Sequence, residues 1–571
     1  MLSRAASIRS AVVAGFVAFG IVHAQDAPKS EAPVSPTAKI NELIAKSWKE
    51  NNLKPSVRTS NWEFLRRVYL DLIGRIATPA EVRWFEANPN RAKLVHRLLY
   101  EKATLDGREF NYPEEYAENW ANVWSTWLMT RTSDSFYRGQ LREWLIEYVF
   151  TKNLSHKEMV EKLITATGKT NEVKDGAVNY ILQHLGEEVK NETDREGHFD
   201  FVPVTSRTSR LFMGLQTQCV QCHDHPFNPE WKQQNFWGVN VFFRQVKRDG
   251  RPNAMRANAA NAGASVLTLS DDDAVNKEGL ASYEKRSGVV LYTKGVFLDG
   301  RKPDIDSGSK TRRQHLAELI ASSEQFPKAY VNRIWGHLFG RGLNEQPSVD
   351  DFGEHNKVVH PELLDYLAKE FAAETPSYEA NKYNGFDPKK LLYWICTSEP
   401  YQLSSVANAT NDKTESDVFF SRMLLKSLTP EQLFESLQIA TGAAKLKGKE
   451  RQEQREAWLK KLVVNFGDDE GNELTFNGTL LQALMLMNGK EITDAIKNTD
   501  KGTVAEAMRK SKSGGRIIDD LFVAALNRHP QGNEASRITS AGTKYRDAAS
   551  FYFYSDVLWA LLNSNEFILN H

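Results

Sequence analysis

The chain has 571 residues, and 73 Lys plus Arg are balanced by 73 Asp plus Glu. It therefore lacks the basic excess that general nucleic-acid binding requires, and nucleic acid is excluded as its partner. Hydrophobic residues make up 41% and cysteines number three, which excludes a disordered chain and a disulfide-stapled scaffold and leaves burial to hold several domains or two large ones.

Residues 1–24 carry Arg4 and Arg9, no acidic residue, and an apolar run from Ala11 to Val22. That run is too short to span a bilayer, which takes roughly twenty residues. Val22-His23-Ala24 then precedes Gln25 with the small residues of a cleavage site. This is the layout of a cleavable secretory signal peptide, with an uncleaved anchor as its alternative. The expectation is an exported protein of the periplasm or cell envelope, with no transmembrane segment after signal removal. Residues 25–38, rich in Pro, Ala and Ser, read as a linker.

Helix signals follow. Ser60-Asn61-Trp62-Glu63 has the form of a capping box, Phe64, Leu65, Val68 and Leu72 keep helical spacing, and Gly74 fits the stop. Thr78-Pro79-Ala80-Glu81 opens another helix with proline at its first position. Trp120, Val123, Trp124 and Trp127 form a stripe that reads as core rather than as a cofactor wall. Leu141 to Phe150 and His156 to Thr165 continue the pattern.

The pattern breaks between Lys247 and Lys310. Asn, Ala, Gly and Asp dominate residues 251–276, and two β-type runs, Gly288 to Thr293 and Gly295 to Leu298, follow. Helices resume at Thr311, and Thr429-Pro430-Glu431-Gln432 is another helix start. Asp271 to Asp273, and Asp468, Asp469, Glu470 and Glu473, read as solvated acidic loops. Cys396 ends an apolar helical run and reads as an inert core thiol.

One string carries chemistry: Cys219-Val220-Gln221-Cys222-His223. Two thiols three positions apart on one turn suit addition to the two vinyl groups of haem c. The adjacent histidine is then placed to ligate the haem iron. Cys219, Cys222 and His223 are accordingly the expected cofactor-binding residues, with His223 on the metal. Two other readings stand beside this one. The string continues to His225, so Cys219, Cys222, His223 and His225 also supply four zinc ligands, and His225 counts as a ligand only in that case. The third reading is a Cys219–Cys222 disulfide with ordinary histidines nearby. His225 lies too close to His223 to reach the opposite haem face, so no sixth ligand is given locally; Met213 and Met255 flank the string.

No G-x-S-x-G elbow, H-E-x-x-H or G-x-x-x-x-G-K-S/T loop occurs, so no catalytic residue or reaction is assigned. A second constellation gathers Asn332, Arg333, Trp335, His337 and Arg341, followed by Asp350, Asp351 and His360. Arg333 and His337 are i, i+4 neighbours on one helix face. The cluster reads as a buried polar network, with a site lining, or His337 reaching the haem, as its alternatives.

Cys219-Val-Gln-Cys-His-Asp-His-Pro-Phe227, with Phe236-Trp237-Gly238, Phe242-Phe243 and the earlier Phe64-Leu-Arg-Arg-Val-Tyr-Leu-Asp-Leu-Ile-Gly-Arg75, resembles the planctomycete secreted cytochrome-like domain. Val331-Asn-Arg-Ile-Trp-Gly-His-Leu-Phe-Gly-Arg-Gly-Leu343, His360-Pro-Glu-Leu-Leu-Asp365, Tyr401-Gln-Leu-Ser404 and Leu558-Trp-Ala-Leu-Leu-Asn-Ser564 resemble the second planctomycete secreted domain that usually follows it. Both are domains of unknown function. The resemblance implies export and a covalent haem, and it implies no reaction.

The expected fold is mainly α: helical domains over 39–246 and 311–571, with a small β-containing insertion over 247–310 between them. The expected function is electron transfer or redox sensing by an exported haem protein with an unidentified redox or envelope partner. The alternative is a non-redox structural or binding protein of the cell envelope, with a disulfide or metal at the string.

Overall fold

The structure, a computed structural model, describes residues 35–189, 196–225, 231–250, 265–305, 308–374, 385–443, 453, 455–460, 490–542 and 550–571. The expected signal segment, most of the linker, Met255 and the acidic run Asp468 to Glu473 lie outside the described residues.

The fold is mainly α with a few short strands. Helices α1 (Pro36–Glu50), α2 (Asn61–Ile73), α3 (Pro79–Ala87) and α4 (Arg91–Tyr100) lead to a hairpin of β1 (Lys102–Leu105) and β2 (Arg108–Asn111). Then come α5 (Tyr112–Met129), α6 (Ser135–Trp144), α7 (His156–Thr165), the short β3 (Gly168–Lys169), α8 (Val178–Gln183), α9 (Val202–Met213) and α10 (Gln233–Asn240). The local signals set several ends. Ser60 caps α2 by accepting from the Glu63 amide, and Thr78 and Glu81 form a reciprocal capping box on α3. Gly74 closes α2 at φ +73, and a Cβ there would also strike the Asn119 side chain, so glycine is required twice over.

The insertion holds β4 (Val246–Asp249), β5 (Thr268–Asp271), β6 (Leu280–Glu284) and β7 (Val290–Lys294). β5 lies between β4 and β3, and β6 pairs antiparallel with β7. The run expected over Gly288 to Thr293 is thus β7, whereas Gly295 to Leu298 forms no strand. The partner of β7 is instead β6, where burial alternates and Ala281 and Tyr283 point inward. Asp271 is not a solvated loop residue. It receives Arg313 Nε and Nη2, both at 2.8 Å, and Arg313 also donates to the Ile164 and Ala166 carbonyls.

After the insertion come α11 (Arg312–Ala321), α12 (Gln325–Phe339), α13 (Pro361–Ala372), α14 (Pro388–Cys396), β8 (Lys426–Ser427), α15 (Pro430–Thr441), further helices over Thr503–Lys510, Gly514–Leu526 and Phe551–Leu562, and β9 (Leu569–Asn570) paired with β8. One apolar cluster joins Ile40, Phe64 and Trp124 to Phe326, Trp335, Leu391 and Tyr401, so residues on both sides of the insertion share a core. A second cluster gathers Leu433, Leu521, Phe522 and Leu558 around Leu70 and Ile76.

Helix α2 therefore touches both clusters, and ten of its thirteen residues are buried. Two of them are arginines. Arg66 donates to the carbonyls of Ala525 at 3.1 Å and Phe567 at 2.6 Å, and Arg67 to those of Leu403 and His571, both at 3.0 Å. Buried guanidinium groups are tolerated because these bonds replace lost water. One turn on, Asp71 accepts from Tyr401 Oη and Asn570 Nδ2, both at 2.7 Å, and from Lys426 Nζ at 3.0 Å. Cys396 is buried beside this network, and burial pushes its thiol well up, which fits an inert core residue. No described helix is long and apolar enough to cross a membrane.

Candidate functional site

The Cys219–His223 string follows α9 directly. Gly214 ends that helix at φ +65, and a Cβ there would come within 2.6 Å of the Phe352 ring. The Phe352 amide donates to the Gly214 carbonyl at 2.9 Å. A glycine is thus what lets the chain turn tightly against the loop that follows α12. The next residues form a single 3-10 turn, Thr217–Gln221, with Val220 as its buried anchor.

Helix α10 holds the turn from behind. Trp237 Nε1 and Gln233 Nε2 donate to the Gln221 carbonyl at 3.0 and 3.1 Å, and the Gln233 amide donates to Asp224 Oδ1 at 2.9 Å. With its inner face tied, the turn presents Cys219 and Cys222 outward, and both are exposed free thiols. His223 is half-buried, and its Nδ1 lies 2.7 Å from the Asp224 carbonyl oxygen.

His225 parts from the other three. Its amide donates to the Trp231 carbonyl at 2.9 Å, and its ring sits 4.9 Å, centroid to centroid, from that of His355. His355 Nε2 is in turn 3.0 Å from Asp351 Oδ1, close but misaligned for a hydrogen bond. Burial chiefly, then His355 and His223, lower the pKa of His225, with Asp351 opposing. Leu215, Thr217, Val220, Trp231, Phe352 and this histidine pair line a small recess. Among the described residues, no group of three or more His, Cys, Asp or Glu side chains is arranged to hold a metal ion.

Sequence reasoning missed His355. The signal was the i, i+4 spacing of Asp351 and His355, but nothing local joins that pair to His225.

The second constellation is a buried polar network. Asn332 Nδ2 donates to Asn344 Oδ1 at 2.5 Å and to the Val349 carbonyl at 3.0 Å, while its Oδ1 accepts from the Leu343 amide at 2.7 Å. Arg333 pairs with Asp350, and Asp350 also lies 3.3 Å from Arg210 Nε on α9. This is the link the sequence hid: the network on α12 grips the helix that delivers the cysteine turn. Arg341 donates to the Asn344 and Glu345 carbonyls, and His360 Nε2 is 2.8 Å from the Val418 carbonyl oxygen. Trp335 stacks on Phe339 at 4.5 Å. His337 is packed edge-on against Trp120 and Trp127 at 5.3 and 5.5 Å, and burial and Lys426 push its pKa down to about 4. It is a neutral core histidine, and Met213 is likewise buried in the core.

Comparison with known families matches residues 39–248 to PSCyt2, a protein of unknown function (DUF1549), and residues 312–473 to PSD1, a protein of unknown function (DUF1553). The chain thus carries these two domains in that order. No curated protein and no solved structure matches it.

Proposed function

We propose that this pair of domains forms an exported protein carrying covalent haem c on Cys219 and Cys222, with His223 as the axial ligand, and that it serves in electron transfer or redox sensing with a redox or envelope partner. The observation that carries the reading is the setting of His223. Its Nδ1 donates to the Asp224 carbonyl at 2.7 Å, which leaves the Nε2 lone pair for a metal and fixes the ring. Cys219 and Cys222 support it as exposed thiols on one turn held by Trp237 and Gln233. When bound, haem supplies one-electron chemistry, with a potential set by its axial ligands and exposure.

A second reading rests on one observation. The recess behind the turn has room for about one water molecule, far less than the roughly 300–1,000 Å³ of a cofactor pocket. A macrocycle attached here belongs on the exposed side, whereas a Cys219–Cys222 disulfide in a non-redox envelope protein needs no pocket. One experiment separates the two. Protein recovered outside the cytoplasm of a host that attaches haem c is examined for a haem absorption band that survives denaturation. The band supports haem; its absence, with both thiols lost to oxidation, supports the disulfide.

A further inference from the structure

We propose that the outer edge of β7 is a docking surface for a strand of a partner protein, apolar at alternate positions and acidic at its flanks. The surface does not depend on what Cys219 and Cys222 carry.

β6 and β7 form a two-stranded sheet, so each has one edge with no strand beside it. The Lys285 amide donates to the Val289 carbonyl at 2.9 Å, which sets the alternation of the ladder. Along the register, Tyr283 with Leu291 and Ala281 with Thr293 turn their backbone groups toward each other. Those of Leu280, Ser282 and Glu284, and of Val290, Tyr292 and Lys294, point away from the hairpin. The two outer edges then differ. On β6, the Glu284 carbonyl accepts from Gln233 Nε2 and the Leu280 carbonyl from Asn276 Nδ2, both at 2.8 Å. On β7, the outward amides and carbonyls of Val290 and Tyr292 have no hydrogen-bond partner among the described residues.

The side chains along the bare edge suit a strand. Val290 and Tyr292 lie two positions apart on one face and are 51% and 57% exposed, and the neighbouring Val289 is exposed as well. A strand laid on β7 places its own alternate side chains beside them, while its backbone completes the unpaired row. An exposed apolar edge is a template for such pairing.

Charge selects the occupant. Residues 280–294 carry Lys285, Arg286 and Lys294 against Glu284 alone. None of the three cations is ion-paired among the described residues. A second copy on the same edge brings two hairpins of like charge together, which is unfavourable, whereas acidic flanks on a different chain are attracted. Gln233 Nε2, which holds the Glu284 carbonyl, also donates to the Gln221 carbonyl, so a docked partner rests against the element that supports the cysteine turn.

The test is fluorescence anisotropy of the full chain with a labelled peptide of alternating valine and threonine between paired aspartates. Saturable binding is expected, weakened about ten-fold or more when lysines replace the aspartates. N-methylation of the central amides should abolish it, because that removes the pairing donors from the peptide without altering the protein. The double change Lys285→Glu, Arg286→Glu at the exposed tip should turn the preference toward the lysine-flanked peptide. Tyr292→Pro, which removes one outward N–H, should abolish binding, with circular dichroism confirming folded protein. Three results overturn the proposal: no saturable binding of the acidic peptide; equal binding of the lysine-flanked or the N-methylated peptide; or sedimentation in which wild type pairs with itself and Tyr292→Pro does not.

Discussion

The imidazole rings of His225 and His355 lie 4.9 Å apart, although 130 positions separate them and each belongs to a different family-matched region. Through this pair, and through the Phe352 amide on the Gly214 carbonyl, the cysteine turn is seated on the second region as well as held by α10 of the first. Its histidines are consequently unequal. His225 is engaged with the opposite loop, whereas the His223 ring is set against the neighbouring Asp224 carbonyl oxygen at 2.7 Å.

That inequality sets the first prediction. On the haem reading, Cys219→Ala and Cys222→Ala each leave one thioether bond and a protein that still carries the pigment. His223→Ala keeps the attachment but changes the iron's spin state and spectrum, because its axial nitrogen is gone. His225→Ala changes the spectrum least. Intact mass and visible spectra of the four variants check this, and a His225→Ala spectrum as altered as that of His223→Ala sinks the assignment.

Asp71 is the acceptor for Tyr401, Asn570 and Lys426 at once. Asp71→Ala strands the Lys426 ammonium in a site where that residue's side chain is only 12% exposed. Removing one partner of such a buried pair costs about 3–5 kcal/mol. Urea unfolding of the variant against wild type measures it, and a loss below about 1 kcal/mol means that Lys426 finds water or its other acceptors sufficient.

His529 joins distant parts of the chain, with Nδ1 2.6 Å from Asp519 and Nε2 2.9 Å from Glu86. Burial works against the charged ring, but the two carboxylates outweigh it and raise the pKa above the usual 6.5. A raised folded-state pKa means that the stabilisation is complete below about pH 6.5 and fades as pH rises through the folded value. Melting temperatures of wild type and His529→Gln should therefore differ most at acid pH and converge on the alkaline side. A gap that grows with pH contradicts the sign.

Trypsin should cut first at the tip of the β6–β7 hairpin. Residues 284–290 are all exposed and include Lys285 and Arg286. Arg333 and Arg341, by contrast, are buried in the α12 network. N-terminal sequencing of the earliest fragments decides; first cuts after Arg333 or Arg341 would show that α12 opens before the insertion.

The elements that sequence reading found are those specified within four or five residues. Thr78 with Glu81, Thr429 with Gln432 and the Gly74 stop each act across one turn, and the Trp120, Trp124 and Trp127 stripe needs only helical period. The β1–β2 hairpin also had a local signal, Asp106-Gly107, with φ of 49° and 73° as a tight primed turn requires. Its strands are too short to announce themselves: β1 alternates over only four residues and β2 does not alternate at all. At the site, Cys219, Cys222 and His223 were legible as a contiguous string. His355, the grip of Asp350 on Arg210, and the Asp271–Arg313 pair were not, because each joins segments that only the tertiary fold brings together.

Helix α2 has a consequence in time. Its guanidinium groups find their carbonyl acceptors at Ala525, Phe567 and His571, between 459 and 504 positions downstream. On a ribosome adding roughly 5–20 residues per second, α2 waits on the order of half a minute or more for the segment that completes it. Until then Arg66 cannot be dehydrated without penalty, so the second apolar cluster, which gathers around Leu70, cannot close on α2. The buried face of α2 is thus completed last, and a nascent chain halted before residue 525 should keep this helix open to proteases.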